Sequence, residues 1–252
     1  MQTAEYQHLE QIKNCETWQN IIDVFAENGI DESTVLICIK KAVENFFMQK
    51  YKTDIIARID NGTVIINKYF VSRNKELKEK EIKLSDLNQN AIGYIKKRIS
   101  DYINLERQRF KYIKLKQFEK TVIRGTIVQI EQNMIKVRIQ NSFIGNVLCC
   151  YPLCGQPKHE RKKYQKNDTY DFFVKHVFIK KSGRYNTEVV LSRTSKGMIE
   201  FELKSQGYNV KCIRRFVGKL SVIKSKRYIP KNIIRNIESK LREKIFIIKD
   251  KQ

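Results

Sequence analysis

Residues able to do chemistry are sparse in this chain. Its three histidines, His8, His159 and His176, stand far apart. No P-loop, Gly-x-Ser-x-Gly, His-Glu-x-x-His or dinucleotide fingerprint occurs. Asp168 and Asp171 are two carboxylates in a β-rich stretch, a thin basis for a metal nuclease, which wants a converging set of ligands. Residues 149–159, Cys-Cys-Tyr-Pro-Leu-Cys-Gly-Gln-Pro-Lys-His, offer Cys149 or Cys150, Cys154 and His159 to zinc. A structural zinc site wants four ligands, usually in two pairs, and the second pair here has only His159. The competing reading is cysteine as a small apolar residue. The expectation is a protein that is not an enzyme, with no catalytic residues, no metal and no cofactor.

The basic residues carry more information. Net charge is +23 over 252 residues, which favours a polyanionic partner, nucleic acid before an anionic membrane surface. The charge is uneven. Residues 1–70 hold ten acids and seven bases, whereas residues 204–252 hold fifteen bases and three acids. That asymmetry suits a link between a protein partner and a nucleic acid. In the tail, Arg214, Arg215, Lys219, Lys224, Lys226, Arg227 and Lys231 are candidate phosphate contacts, against the alternative of a solvated basic surface. Upstream, Lys136, Arg138 and Phe143 are candidate RNA contacts, because an aromatic ring can stack on a base beside a guanidinium. Phe143 as a core residue is the alternative, and an ordinary surface histidine is the alternative for His176.

The elements that position these residues follow from periodicity. Trp18, Ile21, Ile22 and Phe25 mark one helix, ended at Gly29. Asp31 can cap a second, in which Leu36, Ile39, Val43, Phe46 and Phe47 recur at helical spacing. Asn61-Gly62 between two β-rich runs signals a hairpin. Residues 73–82 read as a charged connector. One long helix is expected over 86–118, with Ile92, Ile95, Ile99, Ile103, Phe110 and Ile113 on one face. Its other face, Lys96, Lys97, Arg98, Arg107, Arg109 and Lys111, reads as a solvated charge run. From Val122 the period switches to two, and five short strands suit a small closed barrel. Phe172 and Phe173 straddle both faces of one strand, so one of them belongs to the core. Past Glu200, Asn209–Phe216 and Lys219–Tyr228 are strand-like, Pro230 opens a helix and Lys244–Asp250 closes with a strand. The fold class is α+β and multidomain: 1–85 a helical and hairpin module, 86–118 a connecting helix, 119–196 a small closed five-stranded barrel, 197–252 a small basic α+β module. No apolar run approaches the ~18 residues of a membrane span, and the polar N-terminus has no apolar signal core. The expected location is the cytoplasm.

Gly125-x-Ile127, Phe143-x-Gly145 and Val190-Leu191-Ser192-Arg193 resemble an OB-fold RNA-binding domain of the type named after ribosomal protein S-one. The stretch Val190–Leu203 is similar to the barrel-to-KH junction of the NusA family, and Gly29–Val43 to that family's second N-terminal helix. The module order is also that of NusA, the bacterial elongation, pausing and termination factor. The resemblance covers roughly residues 15–248 at low identity. It departs in the tail: there is room for one shortened KH-like unit, and no two glycines lie three apart, so no Gly-x-x-Gly clamp is present. The resemblance implies RNA-polymerase docking by the N-terminal module, nascent or single-stranded RNA held by the barrel and tail, and Arg193 beside the nucleic-acid face. The implied role is transcription elongation, pausing, termination or antitermination. The rival reading is an RNA-binding protein of translation or RNA stability, without polymerase contact.

Overall fold

The computed structural model describes residues 22–23, 30–51, 55–60, 63–72, 74–82, 87–141 and 145–249. The chain forms two compact units, one running to Arg107 and taking in Gly183–Tyr185, the other comprising Gln108–Ser182 and Asn186 onward.

In the first unit, helix α1 (Glu32–Tyr51) starts behind Asp31. The Asp31 carboxylate accepts the Thr34 backbone N–H at 2.9 Å and the Ser33 and Thr34 hydroxyls. This satisfies one of the donors that a helix start leaves open. Val35, Ile39, Val43 and Phe47 are buried on one face of α1, as their spacing requires. Ile22, helical and buried, joins the same core, while the rest of the expected first helix lies outside the described residues. Strands β1 (Ile55–Asp60), β2 (Thr63–Val71) and β3 (Leu77–Ile82) form an antiparallel sheet in chain order. Asp60 pairs with Thr63, so two residues join β1 to β2. Asn61 and Gly62, the expected turn, are outside the described residues.

Residues 77–82 are therefore a strand and not part of a connector. Leu77 to Glu81 are all exposed, so no buried face imposes a hydrophobic alternation on them. Alternating Lys and Glu on such an edge discourages pairing with another chain. Helix α2 (Gln89–Lys116) buries Ile95, Ile99 and Ile103 in the first core. Phe110 and Ile113, expected on that same face, are 60% and 58% exposed. The last turns of α2 belong to another core and bury another side of the helix: Leu115 enters the barrel core with Tyr112 beside it.

The second unit holds the barrel and the C-terminal module. Strands β4 (Val122–Ile130), β5 (Met134–Asn141), β6 (Gly145–Pro152), β7 (Thr169–Ser182) and β8 (Arg184–Ser192) close in the order β4-β5-β6-β8-β7. Strands β6 and β8 run parallel, meeting at Cys150 and Val190, while β4 pairs antiparallel with β5 and β7 and β5 with β6. Closure removes exposed edges. A Cβ at Gly125 would stand 2.6 Å from Val137 Cγ1, so close approach of β4 to β5 demands glycine there. Helix α2 is tied to β8 where Gln108 accepts the Thr187 N–H at 2.8 Å on its side chain and the Thr187 hydroxyl on its carbonyl.

Helix α3 (Gly197–Ser205), strands β9 (Val210–Phe216) and β10 (Leu220–Ser225), helix α4 (Lys231–Leu241) and strand β11 (Lys244–Lys249) follow. The sheet order is β11-β10-β9. Strand β11 runs parallel to β10, which requires a crossover, and α4 supplies it. Leu203, Ile237 and Leu241 of the helices pack with Cys212, Ile223 and Ile245 of the strands. Both phenylalanines of the β7 pair are buried, in different cores: Phe172 inside the barrel, Phe173 against the C-terminal module. Among the described residues no helix is long and apolar enough to cross a membrane.

Candidate nucleic-acid interface

On β5, Ile135, Val137 and Ile139 are buried, so alternation turns Lys136 and Arg138 outward. Lys136 is half-buried and lies opposite Cys150; Arg138 is exposed and lies opposite Leu148, itself 54% exposed. These are the second and third strands of the barrel. Phe143, in the β5–β6 connection, lies outside the described residues.

Arg193 occupies a different setting. Its Nε and Nη2 donate to the two Glu160 carboxylate oxygens at 2.9 and 3.1 Å, and Nη1 donates to the Asp171 carbonyl at 2.9 Å. The guanidinium also stacks over the Tyr170 ring at 5.0 Å. Glu160 in turn accepts the Tyr164 hydroxyl at 2.7 Å, and Tyr164 meets Tyr151 at 2.8 Å inside the barrel. Burial pushes the Glu160 carboxyl up, but the Arg193 and Tyr164 hydrogen bonds and the Arg193 charge outweigh it and hold the carboxyl below its ordinary value. Thus all three guanidinium nitrogens are engaged by the protein, and the Leu-Ser-Arg end of β8 works as a clamp on the 153–163 loop. These contacts give Arg193 a structural role within the second unit.

Beside that clamp is a cleft of about 410 Å³ between β4, β7 and the end of α4. Its wall carries Arg124, Lys163 and Arg242, none with an acidic partner among the described residues, together with Lys240, which pairs with Asp171 at 3.0 Å and Glu202 at 2.7 Å. Sequence reasoning missed these three cations because they come from three distant stretches, and no local pattern joins them.

The tail cations divide. Arg215 is buried, its side chain 3% exposed, with Nε 2.9 Å from Glu243, whose side chain is 0% exposed. Glu243 also accepts the Gly218 N–H and the Ser221 hydroxyl. Arg215 therefore holds the module together and is not placed to contact phosphate. Its neighbour Arg214 is exposed, over the Phe216 ring at 5.9 Å. The reason for this reversal is a bulge: pairing with β10 shifts between Val222 and Ile223, leaving Ile213 as the extra residue. Simple alternation from Val210 and Cys212 would have turned Arg214 in and Arg215 out. Lys219 is exposed at the β9–β10 turn; Lys226, Arg227 and Lys231 are exposed around the entry to α4, beside Tyr228, which is 74% exposed. Lys224 is half-buried on the outer side of β10, and Lys211 and Lys244, not singled out from the sequence, lie on that side too.

The remaining candidates have other settings. Cys149 lies in the barrel core, where burial pushes its thiol up to about 12. His159 packs its ring against Gly218, where a Cβ would be 2.3 Å from it. His176 is exposed, 3.6 Å from the Glu119 carboxylate. Asp168 accepts the Gln165 N–H at 2.9 Å and the Tyr170 hydroxyl at 3.2 Å. Among the described residues no three His, Cys, Asp or Glu side chains group in a way that could hold a metal ion. No protein-family model matches the chain, and no curated protein matches it.

Proposed function

We propose that this is a non-enzymatic, NusA-like transcription factor whose first unit docks on RNA polymerase and whose second holds nascent RNA. The observation that carries the reading is the closed barrel in the order β4-β5-β6-β8-β7, set between a helix-and-sheet unit and a basic α+β module. That is the arrangement implied by the resemblance of the Leu191-Ser192-Arg193 junction. The charge asymmetry supports it: the polymerase-facing segment is near neutral and the RNA-facing one strongly basic. The outer β5–β6 face with Lys136 and Arg138, the Arg124, Lys163 and Arg242 cleft, and the exposed tail cations supply phosphate contacts. The terminal module keeps a KH-like role in weak form, without a Gly-x-x-Gly clamp. Tethering to polymerase raises the local RNA concentration, so weak contacts suffice to alter pausing, termination or antitermination.

The test is binding of the full chain to purified bacterial core RNA polymerase without RNA, titrated to saturation. Saturable binding is expected. Absence of binding, with single-stranded RNA still bound, overturns the reading in favour of an RNA-binding protein of translation or RNA stability.

A further inference from the structure

The terminal sheet has one face covered by helices and one face open. On the covered face β10 buries Ser221, Ile223 and Ser225. The open face is fixed by the strand register, which aligns it in three rows. Phe216, Leu220 and Lys244 form the first, Arg214, Val222 and Phe246 the second, Lys211, Lys224 and Ile248 the third. Phe216 is 50% exposed and Phe246 62%, and Ile248 beside them is 48% exposed. Large aromatic rings left this open on a sheet mark an interaction surface.

Charge decides what that surface fits. Four of the nine positions are cationic, and the strands Val210–Phe216, Leu220–Ser225 and Lys244–Lys249 contain no carboxylate at all. A basic face whose three strands carry no acid, with two exposed rings, is complementary to a polyanion that carries π-faces. Duplex bases are already stacked and cannot reach the rings; splayed single-stranded bases can. From strand spacing and rise, the two Phe Cα atoms stand roughly 12 Å apart on a diagonal, so each ring takes its own base. Arg214 lies over the Phe216 ring, 5.9 Å from its centroid, so a cation stands beside that ring.

We propose that this open face is a stacking platform for single-stranded RNA, with Phe216 and Phe246 as the base-binding rings and Lys211, Arg214, Lys224 and Lys244 as the phosphate contacts. The proposal rests on the RNA-binding part of the function proposed above and assigns that binding to the sheet face of the terminal module.

The test uses the full chain and an unstructured oligouridylate, with affinity measured by fluorescence anisotropy over a salt series. Phe216→Leu/Phe246→Leu keeps the exposed apolar bulk and the charge but removes stacking. It is expected to lose about tenfold or more in affinity with an unchanged salt slope. Phe216→Tyr/Phe246→Tyr is expected to retain affinity, which also controls for folding. Wild-type affinity in the Leu variant, with RNA bound by both proteins, overturns the platform while leaving RNA binding and the polymerase reading intact. Failure of the unaltered chain to bind the oligouridylate removes the RNA-binding premise itself. Self-association of the native chain that the Leu variant loses, with RNA affinity unchanged, assigns the face to a second copy and overturns the proposal.

Discussion

Two adjacent arginines, Arg214 and Arg215, have opposite fates, and the difference is measurable. Arg215 and Glu243 form a buried pair, and removing one partner leaves an unpaired buried charge, which costs about 3–5 kcal/mol. Arg215→Ala is therefore expected to lower the denaturation midpoint sharply. Arg214→Ala, on the open face, is expected to change stability by no more than about 0.5 kcal/mol while weakening RNA binding. Glu160 poses the same question at the barrel, where its carboxylate and the Arg193 side chain are 16% and 13% exposed. Glu160→Gln is expected to destabilise the second unit by about 3 kcal/mol, read by chemical denaturation. The pH dependence has a definite sign. The Glu160 carboxyl is lowered in the folded state, so its stabilisation is fully present above the ordinary value of 4.5 and is lost as pH falls through the lowered one. The Gln variant is expected to lack that component of acid unfolding.

At the scale of elements, a helix cap and a glycine give separable tests. Hydrogen bonds from Ser33 and Thr34 lower the Asp31 carboxyl from 3.8 to about 2. The cap therefore supports α1 above 3.8 and releases it as pH falls through about 2. Asp31→Ala is expected to lower the thermal midpoint near neutral pH, with the gap to the native chain closing in strong acid. Gly197, at the start of α3, lies under the Phe173 ring: a Cβ there would stand 2.3 Å from it. Gly197→Ala is expected to cost about 1–3 kcal/mol through overpacking, because the ring is held on its other sides by the C-terminal core. Loss of stability without loss of the five-stranded barrel's circular-dichroism signature is the expected reading.

For the whole molecule, the decisive quantity is how binding responds to salt. A chain that neutralises phosphates releases counterions, so log K falls with log salt at about −0.7 per phosphate on single strands. Arg214→Gln/Lys244→Gln is expected to make that slope shallower by roughly one phosphate or more. A salt-independent affinity would leave the basic tail without an electrostatic role. The proposed polymerase docking is assigned to the first unit, whose N-terminal segment is near neutral, and is expected to persist in the same variant.

What the sequence determined by itself was the order and type of the elements, because periodicity is local. Helix α1 with its Asp31 cap, the long α2, the five barrel strands and the strand-helix-strand end of the chain were all legible from spacing, caps and turns. Strand β3 was not, because a charged edge with both faces wet has no alternation to read. Which cations are surface and which are core was decided only in three dimensions. A one-residue bulge at Ile213 turned Arg214 out and Arg215 in. A glutamate 33 positions away in sequence captured Arg193. The open face itself exists only through register: Phe216, Val222 and Phe246 belong to different strands, and hydrogen-bonded pairing alone makes them neighbours. Charge composition fixes how many cations the chain carries, but the fold decides which of them stay exposed, because a buried cation must first be paired within the protein.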